Sequence, residues 1–193
     1  MNKKKMVVIA SIFALSMMVA VMPVYATTPT EVSGQWKSAS PPTGGSVYFS
    51  VKKAGANAFL TLHSCATYFE GDIIGASGSI EQTISITFHY SDPEYVKTLP
   101  TSTLASLQTW EPTEWNWHVE RKFTGTVLGT AGAFTMNLEA KGFGRLGYAN
   151  LVLEGTWVII SGTDGLANLH GQGTWHNISP QLNAYEGQVH FDP

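Results

Sequence analysis

Cysteine is almost absent from this chain. Among 193 residues only Cys65 carries a thiol, so no internal disulfide can staple the fold, and an oxidising compartment would add no cross-link. A lone thiol two positions from His63 is best read as a small buried hydrophobe. Charge is scarce as well. Asp, Glu, Lys and Arg make up 13% of the residues, against roughly 25% in ordinary soluble domains. The cations that exist are badly placed for binding polyanions. The formal net charge is −3, and setting aside Lys3, Lys4 and Lys5 leaves −3 − 3 = −6. No basic patch remains for a nucleic acid backbone. Beyond Met22 no apolar run approaches the length of a membrane-spanning helix. No amphipathic helical pattern is convincing either, and that leaves strands.

The first 26 residues have the form of an export signal. Lys3 to Lys5 supply a positive start, Met6 to Met22 an uncharged and mostly apolar run, Pro23 a break, and Val24-Tyr25-Ala26 a small-residue cleavage site. Cleavage is expected after Ala26, with 27–31 as a short tether and 32–193 as one folded domain. The mature protein is expected to be secreted or otherwise extracytoplasmic, with no membrane contact after cleavage.

The remainder alternates. Ile80, Gln82, Ile84, Ile86, Phe88 and Tyr90 interleave with Glu81, Thr83, Ser85, Thr87 and His89, the period-2 pattern of a strand buried on one face. Trp115, Trp117, Val119, Arg121 and Phe123 do the same against Glu114, Asn116, His118, Glu120 and Lys122, and a further strand follows from Phe134 to Ala140. Between them, about 91–112, three prolines and a Ser/Thr-rich centre predict an inserted loop with a helical turn near Leu104 to Leu107. From Leu151 to Ile160 both faces are apolar: Leu151, Leu153, Trp157 and Ile159 on one, Val152, Val158 and Ile160 on the other. One face can fill a core; the other needs a cover, either the inserted loop or a second copy of the chain.

Nineteen glycines punctuate the strands. Two runs repeat: Phe69 to Ile80 and Phe123 to Phe134 share F-x-G-x-x-x-G-x-x-G, offset by 123 − 69 = 54 residues. The repeat predicts two equivalent hairpin corners with Gly71 and Gly125 at matching bends. An alternating strand follows each run where a phosphate-cradling loop would need a helix. Many short strands, strong glycine bends and no helix of substance predict an all-β fold closed as an antiparallel up-and-down barrel.

Three stretches carry a resemblance. They are Phe69-Glu70-Gly71-Asp72-Ile73 with Gly75, Glu120 to Gly125 running on to Gly132-Ala133-Phe134, and Ser161-Gly162-Thr163-Asp164-Gly165-Leu166-Ala167-Asn168-Leu169-His170-Gly171-Gln172-Gly173. Together they resemble a bacterial domain-of-unknown-function family of small barrels, whose structures are similar to the allene oxide cyclase barrel. The last stretch resembles that family's S-G-T-G-x-L-A-x-L-x-G-x-G, with Asp164 in place of a glycine. The resemblance implies an eight-stranded antiparallel barrel, often oligomeric. It implies no activity, and no cyclase catalytic residue can be matched here.

No arrangement of residues forms a familiar catalytic motif, and neither a cofactor nor a metal site is expected. The six histidines lack metal-binding spacing. Six tryptophans invite a sugar-stacking platform; Trp115, Trp117 and Trp157 read as inward, leaving Trp36, Trp110 and Trp175 as candidate surface aromatics, with a place in the core the preferred reading. The best candidate site is Arg121, alone among the inward positions of its strand in carrying charge. It either snorkels to the barrel mouth beside a carboxylate such as Glu70 or Glu154, or anchors a small apolar or anionic amphiphilic ligand between Trp115 and Trp117. The expected function is non-catalytic, as a ligand-binding barrel or a homo-oligomeric scaffold. The alternative is a cyclase- or isomerase-like enzyme on an apolar substrate. A binder needs a cavity, an enzyme a reactive group inside it, and a scaffold a filled interior with an apolar outer patch.

Overall fold

Residues 114–127 set the pattern for the whole molecule. Trp115, Val119, Arg121, Phe123 and Val127 turn inward and are buried, while Glu114, Asn116, His118, Glu120 and Lys122 face water, as a half-buried strand requires. The computed structural model describes residues 28–38, 48–64, 67–77, 82–107, 109–145, 152–179 and 181–192. The expected export signal over 1–26, Cys65 and the loop about 40–45 lie outside them.

Eleven strands and two short helices follow in order: β1 (Thr30–Ser38), β2 (Tyr48–Ala54), β3 (Asn57–Ser64), β4 (Thr67–Gly71), β5 (Ile73–Ser77), β6 (Gln82–His89), α1 (Pro93–Thr98), α2 (Leu104–Leu107), β7 (Glu114–Val127), β8 (Thr130–Phe143), β9 (Val152–Asp164), β10 (Leu169–Ser179) and β11 (Leu182–Phe191). All pairings are antiparallel. β1 and β2 run successively along β4 and β3, and β5 and β6 run successively along β7. β1–β2, β3–β4 and β5–β6 thus behave as three interrupted strands. With β7 to β11 they make an eight-stranded up-and-down barrel, closed where Thr30–Lys37 of β1 pair with Val189–Leu182 of β11.

The expected equivalence of Gly71 and Gly125 does not hold. Gly71 is the corner of the β4–β5 hairpin, with φ of +114°. Gly125 lies inside β7, facing Gly75 on one side and Gly132 on the other, and the β7–β8 corner falls at Leu128–Gly129. The same residue type answers two needs: left-handed backbone at the first position, room for neighbouring backbones and a ring at the second. A Cβ on Gly125 would stand 2.7 Å from Phe123 Cζ and 2.8 Å from the Gly75 Cα.

Other glycines are floors for indoles. Trp157 lies across Gly173 and Gly187, where a Cβ would meet its ring at 2.6 Å and 2.5 Å, and its Nε1 donates to the Thr174 and Glu186 carbonyls at 3.2 Å each. Trp115 lies across Gly142, where a Cβ would meet its Cδ2 at 2.8 Å. Burying an aromatic of about 200 Å² is worth about 5 kcal/mol in apolar transfer, which these close seats secure.

The 91–112 segment caps one end. The Asp92 carboxylate accepts from the Glu94 N–H at 2.8 Å and starts α1. Lys53 Nζ donates to the Lys97 and Leu99 carbonyls at 3.1 and 2.6 Å, tying the helix end to β2. Val96, Leu99, Leu107 and Trp110 are buried, with Trp110 edge-on to Phe88 at 5.2 Å. The helical turn at Leu104–Leu107 is where the pattern predicts it; α1 was hidden by its shortness and its opening proline. At the opposite end Leu166, fully buried in the β9–β10 turn, fills the space left free at Gly132 and Gly162.

Gly187→Ala should destabilise the protein by about 1–3 kcal/mol, because the added methyl displaces Trp157 from its floor. Gly55→Asn should be nearly neutral, since that exposed turn has φ of +57° and open space at the Cβ. Chemical denaturation followed by tryptophan emission checks both.

Candidate functional site

The lumen is crossed by a run of aromatic contacts. Trp36 sits 5.3 Å from Phe69, 5.0 Å from Trp175 and 6.1 Å from Tyr185; Phe69 continues to Phe123 at 5.6 Å and Phe123 to Phe134 at 4.5 Å. Trp175 reaches Trp117 at 5.2 Å. Arg121 projects into this run. Its guanidinium carbon lies 5.7 Å from the Trp36 ring and 5.8 Å from the Trp117 ring, within the range of cation–π attraction.

The three candidate residues are therefore only partly assembled. Arg121 and Trp117 meet. Trp115 is buried farther along β7 against Phe88 and Gly142, and Trp36, from β1, takes its place as the second ring on Arg121. The snorkelling alternative does not describe Arg121. It lies inside β7 rather than at the strand end, and it is 2% exposed. Glu70 faces outward, 3.5 Å from Lys37, and Glu154 is on the outer face of β9.

Trp36, Trp110 and Trp175 are core residues, at 2%, 1% and 3% exposure, which agrees with the preferred reading of them and leaves no surface platform among the three. Trp36 and Trp175 alternate with polar neighbours as Trp115 does, and that signal was available in the sequence. What it lacked was the ring order, which sets β1 beside β11 and so brings Trp36 to Tyr185 and Trp175.

Two depressions among the described residues lie on the outer wall. One, of about 670 Å³, runs over Gly173 and Gly187 between Glu31, Gln172, Glu186 and Gln188. The other, of about 510 Å³, lies over β7 to β9 between Asn116, His118, Glu139 and Glu154. Their walls are already engaged internally. Gln188 donates to Glu31 at 2.6 Å, His118 stands 3.5 Å from Glu139, and Asn116 bonds His89 at 2.9 Å. The corner residues Asp72 and Asp164 are likewise structural. Asp72 accepts from the Ser33 N–H at 2.8 Å, and Asp164, at φ of +56°, accepts from Thr163 Oγ1 at 3.1 Å.

Tyr185, on β11, is an acid whose pKa the barrel wall raises. Burial is the main cause, and the nearby Asp72 charge adds to it; the Ile73 N–H, donating to the phenol oxygen at 2.9 Å, pulls the other way. The pKa is pushed up to about 12. A phenol so held keeps its proton and suits hydrogen bonding rather than proton transfer at neutral pH.

No family model matches the chain, and no curated protein matches it. Among solved structures, a protein of unknown function from the DUF3224 family of Shewanella oneidensis MR-1 is similar, at 16% sequence identity and a TM-score of 0.48, covering 86% of this chain and 99% of that chain.

The raised Tyr185 pKa has a defined sign. The folded state holds the proton more tightly than the unfolded chain, so stability is fully present below about pH 10 and falls as pH climbs toward 12. Denaturation midpoints should drop across that window. Tyr185→Phe should flatten part of the drop, and should cost about 1–3 kcal/mol at neutral pH by leaving the Ile73 N–H without its acceptor.

Proposed function

We propose that this protein is an exported, non-catalytic barrel of the domain-of-unknown-function family it resembles, and that it works through its outer wall by associating with a second copy of itself. One observation carries the reading. The lumen is occupied by the protein's own rings, whereas Phe143, Val152 and Ile178 stand 45%, 54% and 51% exposed on neighbouring strands. Phe143 and Val152 are directly opposite on β8 and β9, and Ile178 lies two residues beyond His176, which faces Glu154. The inserted segment, the other candidate cover, packs on β2 and Phe88 and reaches past the end of β8 through the Glu111–Arg145 ion pair, yet leaves the three side chains exposed.

Charge supports a self-complementary contact. Lys141 and Glu154 face each other next to the apolar trio. In a two-fold arrangement the same patch is used twice, and Lys141 of each copy can meet Glu154 of the other. The enzyme alternative has less support: the buried side chains with polar groups include Thr67, Arg121, Asn183 and the phenols of Tyr90 and Tyr185, and both phenols are held protonated at neutral pH by burial.

Arg121 sustains a second reading. Trp117 is only half-buried; if it swings aside, the guanidinium can take the carboxylate of an amphiphile in bidentate fashion.

Sedimentation of the exported protein at micromolar concentration should give a dimer, and Val152→Glu should give a folded monomer. Mass spectrometry should find its first residue at Thr27. Monomer mass for the wild type at every concentration would sink the association. If the same wild type binds a fatty acid with tryptophan quenching that Arg121→Met abolishes, the ligand reading replaces it.

A further inference from the structure

The 91–112 insert covers the end of the barrel at which β6 stops and β7 starts. The two strands stay joined past Trp115, where the Thr113 N–H donates to the His89 carbonyl at 2.8 Å. Phe88 faces Trp115 across this pairing, and Tyr90 follows two residues later on the same inward face. The insert lays its apolar underside here. Trp110 is edge-on to Phe88, the Tyr95 ring lies 5.7 Å from that of Tyr90, and Val96, Leu99 and Leu107 are buried.

Two hydrogen-bond donors are stranded in this layer. Tyr90 and Trp115 are 8% and 1% exposed, and among the described residues neither the Tyr90 hydroxyl nor Trp115 Nε1 has a partner. Other core indoles do: Trp110 donates to the Pro100 carbonyl at 3.0 Å, and Trp157 to two carbonyls. Trp175, whose Nε1 is also unpaired, stands edge-on to Trp117 at 5.2 Å among the lumen rings, away from the insert. A buried donor without an acceptor is costly, and two of them beneath one cover call for an acceptor from outside the chain. Burial, with the Tyr95 charge adding to it, pushes the Tyr90 phenol well above its ordinary pKa, so both groups donate. Surroundings that resist a phenolate resist a carboxylate ligand too, and Lys53 beside the insert is already engaged by the Lys97 and Leu99 carbonyls. We propose that the insert lifts to admit, and closes over, a neutral apolar molecule bearing carbonyl oxygen, such as an ester or ketone. Its oxygen accepts from Tyr90 and Trp115, and Phe88 and Trp110 hold its apolar body. The site is separate from Arg121, which lies six residues along β7 from Trp115, about 20 Å at strand rise.

The test uses the full chain and three probes of similar shape: methyl benzoate, propylbenzene, which has no oxygen, and benzoate, which is charged. In a nuclear magnetic resonance titration methyl benzoate should bind at one equivalent and move the Trp115 indole N–H signal downfield, that signal being assigned through its contacts with Phe88. Tyr90→Phe should weaken methyl benzoate about 10-fold and leave propylbenzene unchanged. It should keep or raise the melting temperature, because an unpaired hydroxyl is removed. Benzoate should not compete. No binding of methyl benzoate up to its solubility limit, the same effect of Tyr90→Phe on both neutral probes, or a shift at another indole in place of Trp115 would each overturn the site. So would a melting temperature lowered by Tyr90→Phe, the sign that a buried water satisfies the phenol instead.

Discussion

A guanidinium held between two indoles organises the interior. Taking a cation out of water costs several kcal/mol, and a desolvated cation–π contact returns about 2 kcal/mol; Trp36 and Trp117 each supply one to Arg121. Those rings in turn fix their neighbours. Trp36 orders Phe69, Trp175 and Tyr185, and Trp117 leans on Trp175. Five strands, β1, β4, β7, β10 and β11, meet through this one set of contacts. The interior is specified by ring geometry around a charge rather than by an undirected apolar filling.

The outer shell of the barrel is arranged to permit that filling. Aromatic rings need flat floors, and a strand supplies one only where it has no Cβ. Gly142 beneath Trp115, and Gly173 with Gly187 beneath Trp157, are such places. Sparse charge fits the same plan. Lys37–Glu70 and Lys97–Glu94 are surface pairs, each worth at most about 1 kcal/mol, so stability rests on packing.

Alternation made the strands legible. The inward set Trp115, Val119, Arg121 and Phe123 follows directly from period 2, and so does the barrel, since strands this numerous must close or expose edges. Ring contacts were not legible. Trp36 and Trp175 belong to strands far apart in the chain, and only the order of strands round the barrel puts them together. The glycine repeat misled for a related reason: identical spacing served a corner at Gly71 and a close backbone crossing at Gly125. One pairing was within reach: His170 and His190 are equidistant from position 180 in the sequence, and an antiparallel hairpin sets equidistant residues face to face, as β10 and β11 do.

The seam between β1 and β11 pairs residues near opposite ends of the folded region, Thr30 with Val189. Every other ladder in the ring joins strands that are neighbours along the chain and can form hairpin by hairpin. The seam alone joins the first strand of the ring to the last, so until β11 arrives one edge of β1 stays unpaired. Long-range closure of this sort slows folding and prolongs the lifetime of open, association-prone intermediates. The acquisition of the last strand then sets the pace at which the chain becomes safe from its own kind.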